Sequence, residues 1–260
     1  MEPVLEADRL TKRYAGRPAV RDVSFAIRPG EVLGYLGPNG SGKSTTVKML
    51  TGLLAPTGGR TLYRGRNIHD DLAAYKRNLG YVPEEANLYT HLTGRENLEL
   101  VGTLRGLDRR RFTEKMEALL EDFTLYRHRH SPISSYSKGM RQRILLIAAL
   151  LHDPEILILD EPFSGLDVTF ALVFRKLLGR LAEAGKAVFF CSPVLEVVEK
   201  VCSHLIVLRQ GEVAAYGSLE EIRRSTSLSA LEDTFLRLTE QADAERIADD
   251  IFAAVHAPCR

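Results

Sequence analysis

The most informative segment of this chain is Gly37-Pro38-Asn39-Gly40-Ser41-Gly42-Lys43-Ser44-Thr45. It matches the pattern G-x-x-x-x-G-K-[ST], follows the apolar run Val32 to Leu36 and precedes the helical stretch Thr46 to Leu53. Glycines let such a loop curl around phosphate, and the N-terminus of the next helix adds partial positive charge. We therefore predict that Lys43 holds the β- and γ-phosphates of a nucleotide, that Ser44 offers a hydroxyl to Mg²⁺, and that Thr45 begins the helix.

A buried strand that ends in two acids supplies the second half of the predicted site. The apolar run Ile156 to Leu159 leads directly into Asp160 and Glu161. Asp160 is predicted to approach Mg²⁺, directly or through water, and Glu161 to polarise a water in line with the γ-phosphate. The alternatives, an accidental Gly-Lys-Ser turn and a plain turn at the end of the strand, are disfavoured because both halves occur in one chain.

Short apolar runs alternate with helical stretches along most of the chain. Runs at 156–159, 187–191 and 205–208 are four or five residues long and rich in branched or aromatic side chains. This alternation predicts an α/β domain on a largely parallel, buried sheet. Residues 93–151 show helical periodicity instead and predict a helical insert. We assign residues 1–220 to one nucleotide-binding domain and residues 221–260 to a short helical C-terminal extension.

Composition and charge exclude several classes of protein. The chain is 45% hydrophobic and 27% charged, which excludes disorder as the default, and its formal charge of +1 argues against a nucleic-acid partner. The longest aliphatic run, Ile144 to Leu151, is far shorter than the roughly 20 residues of a membrane span, and the acidic start is unlike a secretory signal. We expect a cytoplasmic chain whose three cysteines are reduced and structural.

Three further motifs resemble those of one family, the ATP-binding subunits and domains of ABC (ATP-binding cassette) transporters. Tyr136-Ser137-Lys138-Gly139-Met140 resembles the signature sequence, in the form common among bacterial exporter subunits. Ser164-Gly165-Leu166-Asp167 resembles the D-loop, and Tyr14 stands where a family aromatic stacks on adenine. The resemblance implies a P-loop NTPase fold with a mostly parallel core sheet, an N-terminal antiparallel β portion and a helical subdomain at about 93–151.

The resemblance also implies cofactors and partners. ATP and Mg²⁺ would lie between the phosphate loop of one subunit and the signature residues Ser137, Lys138 and Gly139 of a second, head-to-tail subunit. A homodimer is the simpler default. A separate membrane-spanning permease would contact the helical insert, with residues 85–100 as the candidate surface, and would hold the chain at the inner face of the cell membrane.

Two positions depart from the family pattern. Glu84 stands where the family usually has a glutamine that contacts Mg²⁺, and a carboxylate is still able to ligate this ion. Pro193 stands where the family has a histidine that contacts the γ-phosphate, and proline offers neither a side-chain donor nor a backbone N–H. Losing one such donor costs roughly 10²–10³ in kcat.

Three functions therefore stand against each other. The leading one is the ATP-hydrolysing, energy-coupling subunit of an exporter. The second is an ATP-binding subunit whose own site turns over slowly because of Pro193, although the retained Glu161 argues against it. The third is a non-transport ABC ATPase acting on ribosomes or DNA. It is disfavoured because the chain has a single cassette and too few residues between Lys43 and Ser137 for a long coiled-coil insertion.

Overall fold

Two β-sheets frame the molecule in the computed structural model, which describes residues 2–192, 195–226 and residue 252. The first sheet is antiparallel and has the order β2-β1-β4-β5. The second has the order β10-β9-β3-β8-β7-β6 and is parallel except for the pair β9–β10. The strands are β1 Leu5–Tyr14, β2 Arg17–Ile27, β3 Val32–Leu36, β4 Gly58–Tyr63, β5 Arg66–Asn67, β6 Leu79–Val82, β7 Ile156–Asp160, β8 Ala187–Cys191, β9 His204–Arg209 and β10 Glu212–Ser218.

Eight α-helices surround the sheets in the described part of the chain. They are α1 Lys43–Leu50, α2 Leu72–Arg77, α3 Gly94–Leu104, α4 Arg109–Asp122, α5 Lys138–Leu150, α6 Val168–Glu183, α7 Leu195–Val201 and α8 Leu219–Thr226. None of these helices has the length and apolar character that a membrane span requires.

The hydrophobic core lies on both faces of the parallel sheet, and its central strands are therefore completely buried. On β3, Leu33 and Tyr35 pack towards α1 and the antiparallel sheet, whereas Val32 and Leu36 belong to the cluster under α5, α6 and α7. This is the two-residue alternation of a strand covered on both sides. Gly34 lets α7 approach, since a Cβ there would lie 2.7 Å from Val198 Cγ1.

The structure confirms the α/β class, the mostly parallel core sheet and the antiparallel β portion. Residues 93–151 contain α3, α4, α5 and short 3₁₀ turns, with a single bridge between Thr93 and Pro132, so the helical insert is also confirmed. The prediction that the first helix begins at Thr45 or Thr46 and reaches Leu53 is wrong. Helix α1 begins at Lys43, because the Thr46 N–H already donates to Gly42 O at 2.9 Å.

The C-terminal boundary stays a prediction. Helix α8 crosses the proposed division between residues 220 and 221, and its Ile222 is buried in the main core. Residues 227–251 and 253–260, which make up most of the predicted extension, lie outside the described residues, as does Pro193.

Candidate active site

The loop between β3 and α1 is shaped by glycines in conformations that other residues rarely adopt. Gly40 and Gly42 have φ of 78° and 105°, and a Cβ on Gly42 would lie 2.5 Å from Ala19 O of β2. A Cβ on Gly37 would lie 2.6 Å from Leu208 O of β9. The loop is therefore clamped between the two sheets, and only glycine fits at these positions.

The first turn of α1 is open to an anion. Gly42 is its N-cap, and no side chain caps the helix, so its first N–H groups keep the partial positive charge of a helix start. Ser41 beside it is 3% exposed, and its Oγ has no hydrogen-bond partner within the described residues. A buried hydroxyl and uncapped N–H groups on one loop are the donors that a phosphate group requires.

Lys43 is held inside the loop. Its Nζ donates to Gly37 O at 2.7 Å and to Pro38 O at 3.0 Å, and the residue is only 7% exposed. Two carbonyl contacts stabilise a buried ammonium only in part, because carbonyls carry no full negative charge. The position favours exchange of these carbonyls for phosphate oxygens.

Three carboxylates meet at the same edge of the parallel sheet. Asp160 ends β7, Glu161 follows it, and Glu84 lies two residues beyond Val82, which pairs with Leu159. Asp160 is 5% exposed. Glu161 has φ of 49°, and its N–H donates to Cys191 O at 2.9 Å. Its left-handed backbone is therefore held by a bond to β8.

Electrostatics shows that these groups share one environment with Lys43. Burial raises the pKa of Asp160 to about 6, with Glu84 and Glu161 adding to the rise and the Cys191 thiol and Lys43 opposing it. Burial and Glu84 also raise the pKa of Glu161, and Lys43 and Lys138 oppose this rise. Mutual repulsion of carboxylates in a partly buried site is relieved by a cation.

The donor set fits Mg²⁺ held together with a polyphosphate. Among the described residues, no three His, Cys, Asp or Glu side chains form a complete metal cage. Mg²⁺ commonly takes one or two carboxylates, substrate phosphates and water instead of such a cage. Asp160, Glu84 and the exposed hydroxyl of Ser44 supply oxygen ligands of this kind.

The other predicted residues lie on separate elements. Ser137 is the N-cap of α5, and its Oγ accepts a hydrogen bond from Met140 N at 3.2 Å, as expected for a residue that begins this helix. Asp167 caps α6 in the same way, accepting from Phe170 N at 2.9 Å. No hydrogen bond within the described residues joins the signature residues to the phosphate loop. Tyr14 ends β1, half exposed, with Lys12 Nζ 5.7 Å from its ring centre.

Sequence reasoning missed Cys191. This cysteine is the register partner of Asp160, and its thiol makes a hydrogen bond to the Asp160 carboxylate. Burial raises the pKa of the thiol well above its ordinary value, so it stays protonated and donates. Nothing in the sequence selects this pair, because strand order and register are set only in the packed sheet.

A clamped glycine loop, a buried lysine and a carboxylate pair at the end of the neighbouring strand define a nucleotide-hydrolysing P-loop protein. The family model described as "ABC transporter" matches residues 20–164. The ABC-type transporter ATP-binding protein EcsA of Bacillus subtilis (strain 168) is 35% identical over 243 residues, covering 92% of this chain and 97% of EcsA. The chain therefore belongs to the ABC transporter family, as an ATP-binding subunit and an ATPase of the ABC class.

Solved structures agree with this assignment. The structure of an ATP-binding subunit of an ABC transporter superposes with a TM-score of 0.85 at 32% identity, covering 90% of this chain and 99% of that one. A dimeric, post-hydrolysis ATP-binding cassette, MJ0796 with ADP and Pi, gives a TM-score of 0.75 at 27% identity and covers 83% and 98%.

Proposed function

We propose that this chain is the ATP-hydrolysing, energy-coupling subunit of an ABC-type exporter, working as a head-to-tail dimer on a separate membrane-spanning subunit. The observation that carries the proposal is that Lys43, Asp160 and Glu161 lie at the same edge of the parallel sheet. They are close enough for the Lys43 charge to oppose the rise in the pKa of both carboxyl groups. Phosphate binding and water activation need these two kinds of group side by side. The proposal takes residues 1–220 as the ATP-binding domain and 221–260 as an extension.

In the proposed reaction, Lys43 releases the carbonyls of Gly37 and Pro38 and binds the β- and γ-phosphates. The first N–H groups of α1 and the Ser41 hydroxyl donate to the same phosphates. Glu161 takes a proton from water as the water oxygen bonds to the γ-phosphorus and the bond to the β–γ bridging oxygen breaks, which yields ADP and phosphate. Mg²⁺, held by Ser44, Asp160 and Glu84, would neutralise phosphate charge in this site.

The dimer follows from the second helix start. Ser137 begins α5, and a helix N-terminus of this kind binds anions, yet within the described residues it has no hydrogen bond to the phosphate loop of its own chain. A head-to-tail dimer brings it to the nucleotide of the partner. The dimeric form of the MJ0796 cassette supports this arrangement. Tyr14 would supply a flat face for adenine at the outer end of the site.

Pro193 favours a second candidate function, an ATP-binding subunit with slow turnover. The family histidine has no counterpart at this position in the sequence, and a missing transition-state donor lowers kcat by roughly 10²–10³. Against this, Glu161 is retained and its backbone is held in place by β8.

Turnover of Mg-ATP by the purified chain separates the two candidates. It is measured beside Glu161→Gln as the blank and Pro193→His as the restored switch, after all three are shown to bind ATP. If the natural chain turns over ATP clearly faster than Glu161→Gln and Pro193→His adds little, the result supports the hydrolysing subunit. A natural chain equal to the blank, with turnover regained in Pro193→His, supports the slow subunit and excludes the first candidate.

A groove beside the active site supports docking of the permease. Its cavity of about 460 Å³ lies between α2 and the C-terminal end of α3, with β6 as its floor. Leu53 and Leu104 in its lining are 59% and 78% exposed, and the charged lining residues are all basic: Lys76, Arg77 and Arg105. It therefore fits a short apolar segment that carries an acidic residue. None of the lining residues lies within the expected surface at 85–100, which includes the first part of α3, so the groove is a separate candidate surface and the contact at 85–100 stays a prediction.

Tyr81 connects this groove to the active site. It lines the groove, and burial together with the charges of Asp160 and Glu84 raises its pKa to about 12. A segment seated against Tyr81 would contact β6, the strand that leads to Glu84. Through this contact the permease would hold the chain at the inner face of the membrane.

Membranes from the source cells test the docking surface. We expect them to stimulate ATP turnover by the natural chain, and Leu104→Asp to abolish the stimulation while basal turnover stays unchanged. Leu172→Asp, at an exposed leucine on α6, is the matched control. Equal loss of stimulation in both variants would argue against a specific groove.

A further inference from the structure

The signature residues and the D-loop of the same chain approach each other closely at two glycines. A Cβ on Gly139 would lie 2.5 Å from Gly165 O, and a Cβ on Gly165 would lie 2.9 Å from Lys138 Cγ. Gln142, one turn further along α5, donates from Nε2 to Pro162 O at 3.1 Å, and this bond is buried. Neither segment is free to shift far without displacing the other.

Arg143 adds a charged contact to this packing. Its guanidinium forms an ion pair with Asp167 and lies 4.2 Å from the centre of the Phe170 ring. It also donates to Thr124 Oγ1 at 2.5 Å. With its side chain 16% exposed, Arg143 joins α5 to the start of α6 and to the turn that follows α4. Arginine is suited to this because one planar group makes several directed contacts.

The D-loop is in turn continuous with the proposed hydrolytic carboxylate. A turn in which Ser164 N donates to Glu161 O at 3.0 Å begins at Glu161 itself, and the D-loop ends at Asp167. One side of the packed unit therefore starts at Glu161, in the chain's own site. Its other side is Ser137, which in the proposed dimer faces the nucleotide of the partner.

We propose that Arg143 is a positioning residue that holds the signature residues and the D-loop as one unit, so that a change at Glu161 moves the Ser137 that caps the partner's nucleotide. The inference rests on the proposed head-to-tail dimer. It extends that proposal by assigning a route between the two nucleotide sites, and it gives Arg143 no contact with the reacting atoms.

The test measures ATP-driven dimerisation of the full chain by light scattering, in the Glu161→Gln background, where bound ATP persists. We expect Arg143→Gln to raise the ATP concentration for half-maximal dimerisation roughly tenfold, because directed charge-assisted contacts are lost. Binding of ADP to the single chain should stay within about twofold, since the phosphate loop is untouched. A merely structural role would weaken ADP binding and thermal stability together with dimerisation.

Three variants sharpen the result. Arg143→Lys keeps the charge and should restore part of the loss. Asp167→Asn keeps the cap of α6, because asparagine caps as well as aspartate, and should weaken dimerisation without adding to Arg143→Gln in the double variant. Arg180→Gln removes an exposed arginine of α6 that, among the described residues, forms an ion pair with Glu183 alone, and it should change nothing.

Two outcomes contradict the inference, and they are distinguishable. If the Glu161→Gln chain binds ATP but does not dimerise, the proposed dimer fails and the role of Arg143 fails with it. If that chain dimerises and Arg143→Gln dimerises at the same ATP concentration, only the role of Arg143 is wrong.

Discussion

Two helix starts in this molecule are proposed to face phosphate, and they are built differently. Helix α1 begins after Gly42, with no side-chain cap, whereas α5 begins after Ser137, whose own hydroxyl already accepts from Met140 N. An uncapped start leaves N–H groups for a ligand, and a capped start is partly satisfied without one. Helix α1 therefore forms a complete phosphate site in the single chain, whereas α5 is proposed to contact phosphate only when a partner brings its nucleotide.

The lysines at the two helix starts also differ in burial and in how firmly they are held. Lys43 is buried and held by two carbonyls, whereas Lys138 is exposed and forms no ion pair within the described residues. A buried, pre-positioned cation loses little freedom when its ligand arrives. An exposed lysine must be ordered at that moment, so the second site is assembled rather than preformed.

The largest effect is expected from a substitution in the preformed phosphate site at α1. Lys43→Ala should weaken ATP binding by about 10- to 100-fold, because hydrogen bonds to charged groups contribute about 1.5–3 kcal/mol. Fluorescent-nucleotide titration of the single chain measures this loss. Lys48→Ala, at an exposed lysine of the same helix, is the control. Equal binding by Lys43→Ala and the natural chain would contradict a preformed site at α1.

The next largest effect is expected from the buried carboxyl group of Asp160. It is measured as a change in the stability of the nucleotide-free chain. The folded-state pKa of Asp160, about 6, lies above its ordinary value of 3.8, so folding binds the proton more tightly and the ionised form destabilises the fold. Asp160→Asn should raise the free energy of unfolding by about 2 kcal/mol at pH 7.5.

The sign of this effect with pH is the check. The advantage of Asp160→Asn should shrink as the pH falls through 6 and be mostly gone near pH 4, where the natural aspartate is protonated in the fold. Urea unfolding at several pH values measures the difference between the two chains. A gap that stays constant with pH would show that Asp160 is not the group responsible.

A smaller effect is expected at the start of α5, where the site is proposed to be completed only in the dimer. Ser137→Ala should weaken ATP-driven dimerisation about tenfold, as expected for one lost hydrogen bond to a charged ligand, and leave ATP binding by the single chain unchanged. Ser135→Ala, which removes a hydroxyl bonded to Pro132 O in the preceding turn, is the control. Loss of single-chain binding in Ser137→Ala would erase the difference between the two helix starts.

The smallest effect concerns an ordinary helix start. Thr93 caps α3 in a reciprocal pair with Glu96, so Thr93→Ala should cost about 1 kcal/mol of stability and alter neither nucleotide binding nor dimerisation. Thr113→Ala, inside α4, should change stability by less than about 0.5 kcal/mol. Thermal unfolding measures both. A change in nucleotide binding by Thr93→Ala would show that caps act through the whole fold rather than locally.

Local patterns identified the segments of the candidate site wherever a single segment carries the chemistry. The loop 37–45 and the acidic end of β7 were recognised from spacing alone, because glycine, lysine and carboxylate requirements are local. The start of α1 was placed two or three residues too late, since the bond from Thr46 N to Gly42 O draws Lys43 into the helix. Boundaries of this kind depend on hydrogen bonds that a residue pattern does not reveal.

Contacts between distant segments were not predictable in the same way. The pairing of Cys191 with Asp160 and of Arg143 with Asp167 depends on strand register and helix packing. Residues of opposite charge or complementary polarity occur throughout the chain, and nothing in their spacing selects these pairs. The raised pKa of Asp160 likewise follows from burial, which only the packed sheet provides.

The phosphate loop, the carboxylate pair and the signature residues at the start of α5 could be read from the residues alone, because each is a short run whose chemistry depends on its own residues. Folding was needed to bring the charges of Glu84, Asp160, Glu161 and Lys43 within reach of one another and to pack the signature residues on the D-loop. The physical reason is distance: charge repulsion, burial and close packing act over a few ångströms, and folding alone sets which residues come that close.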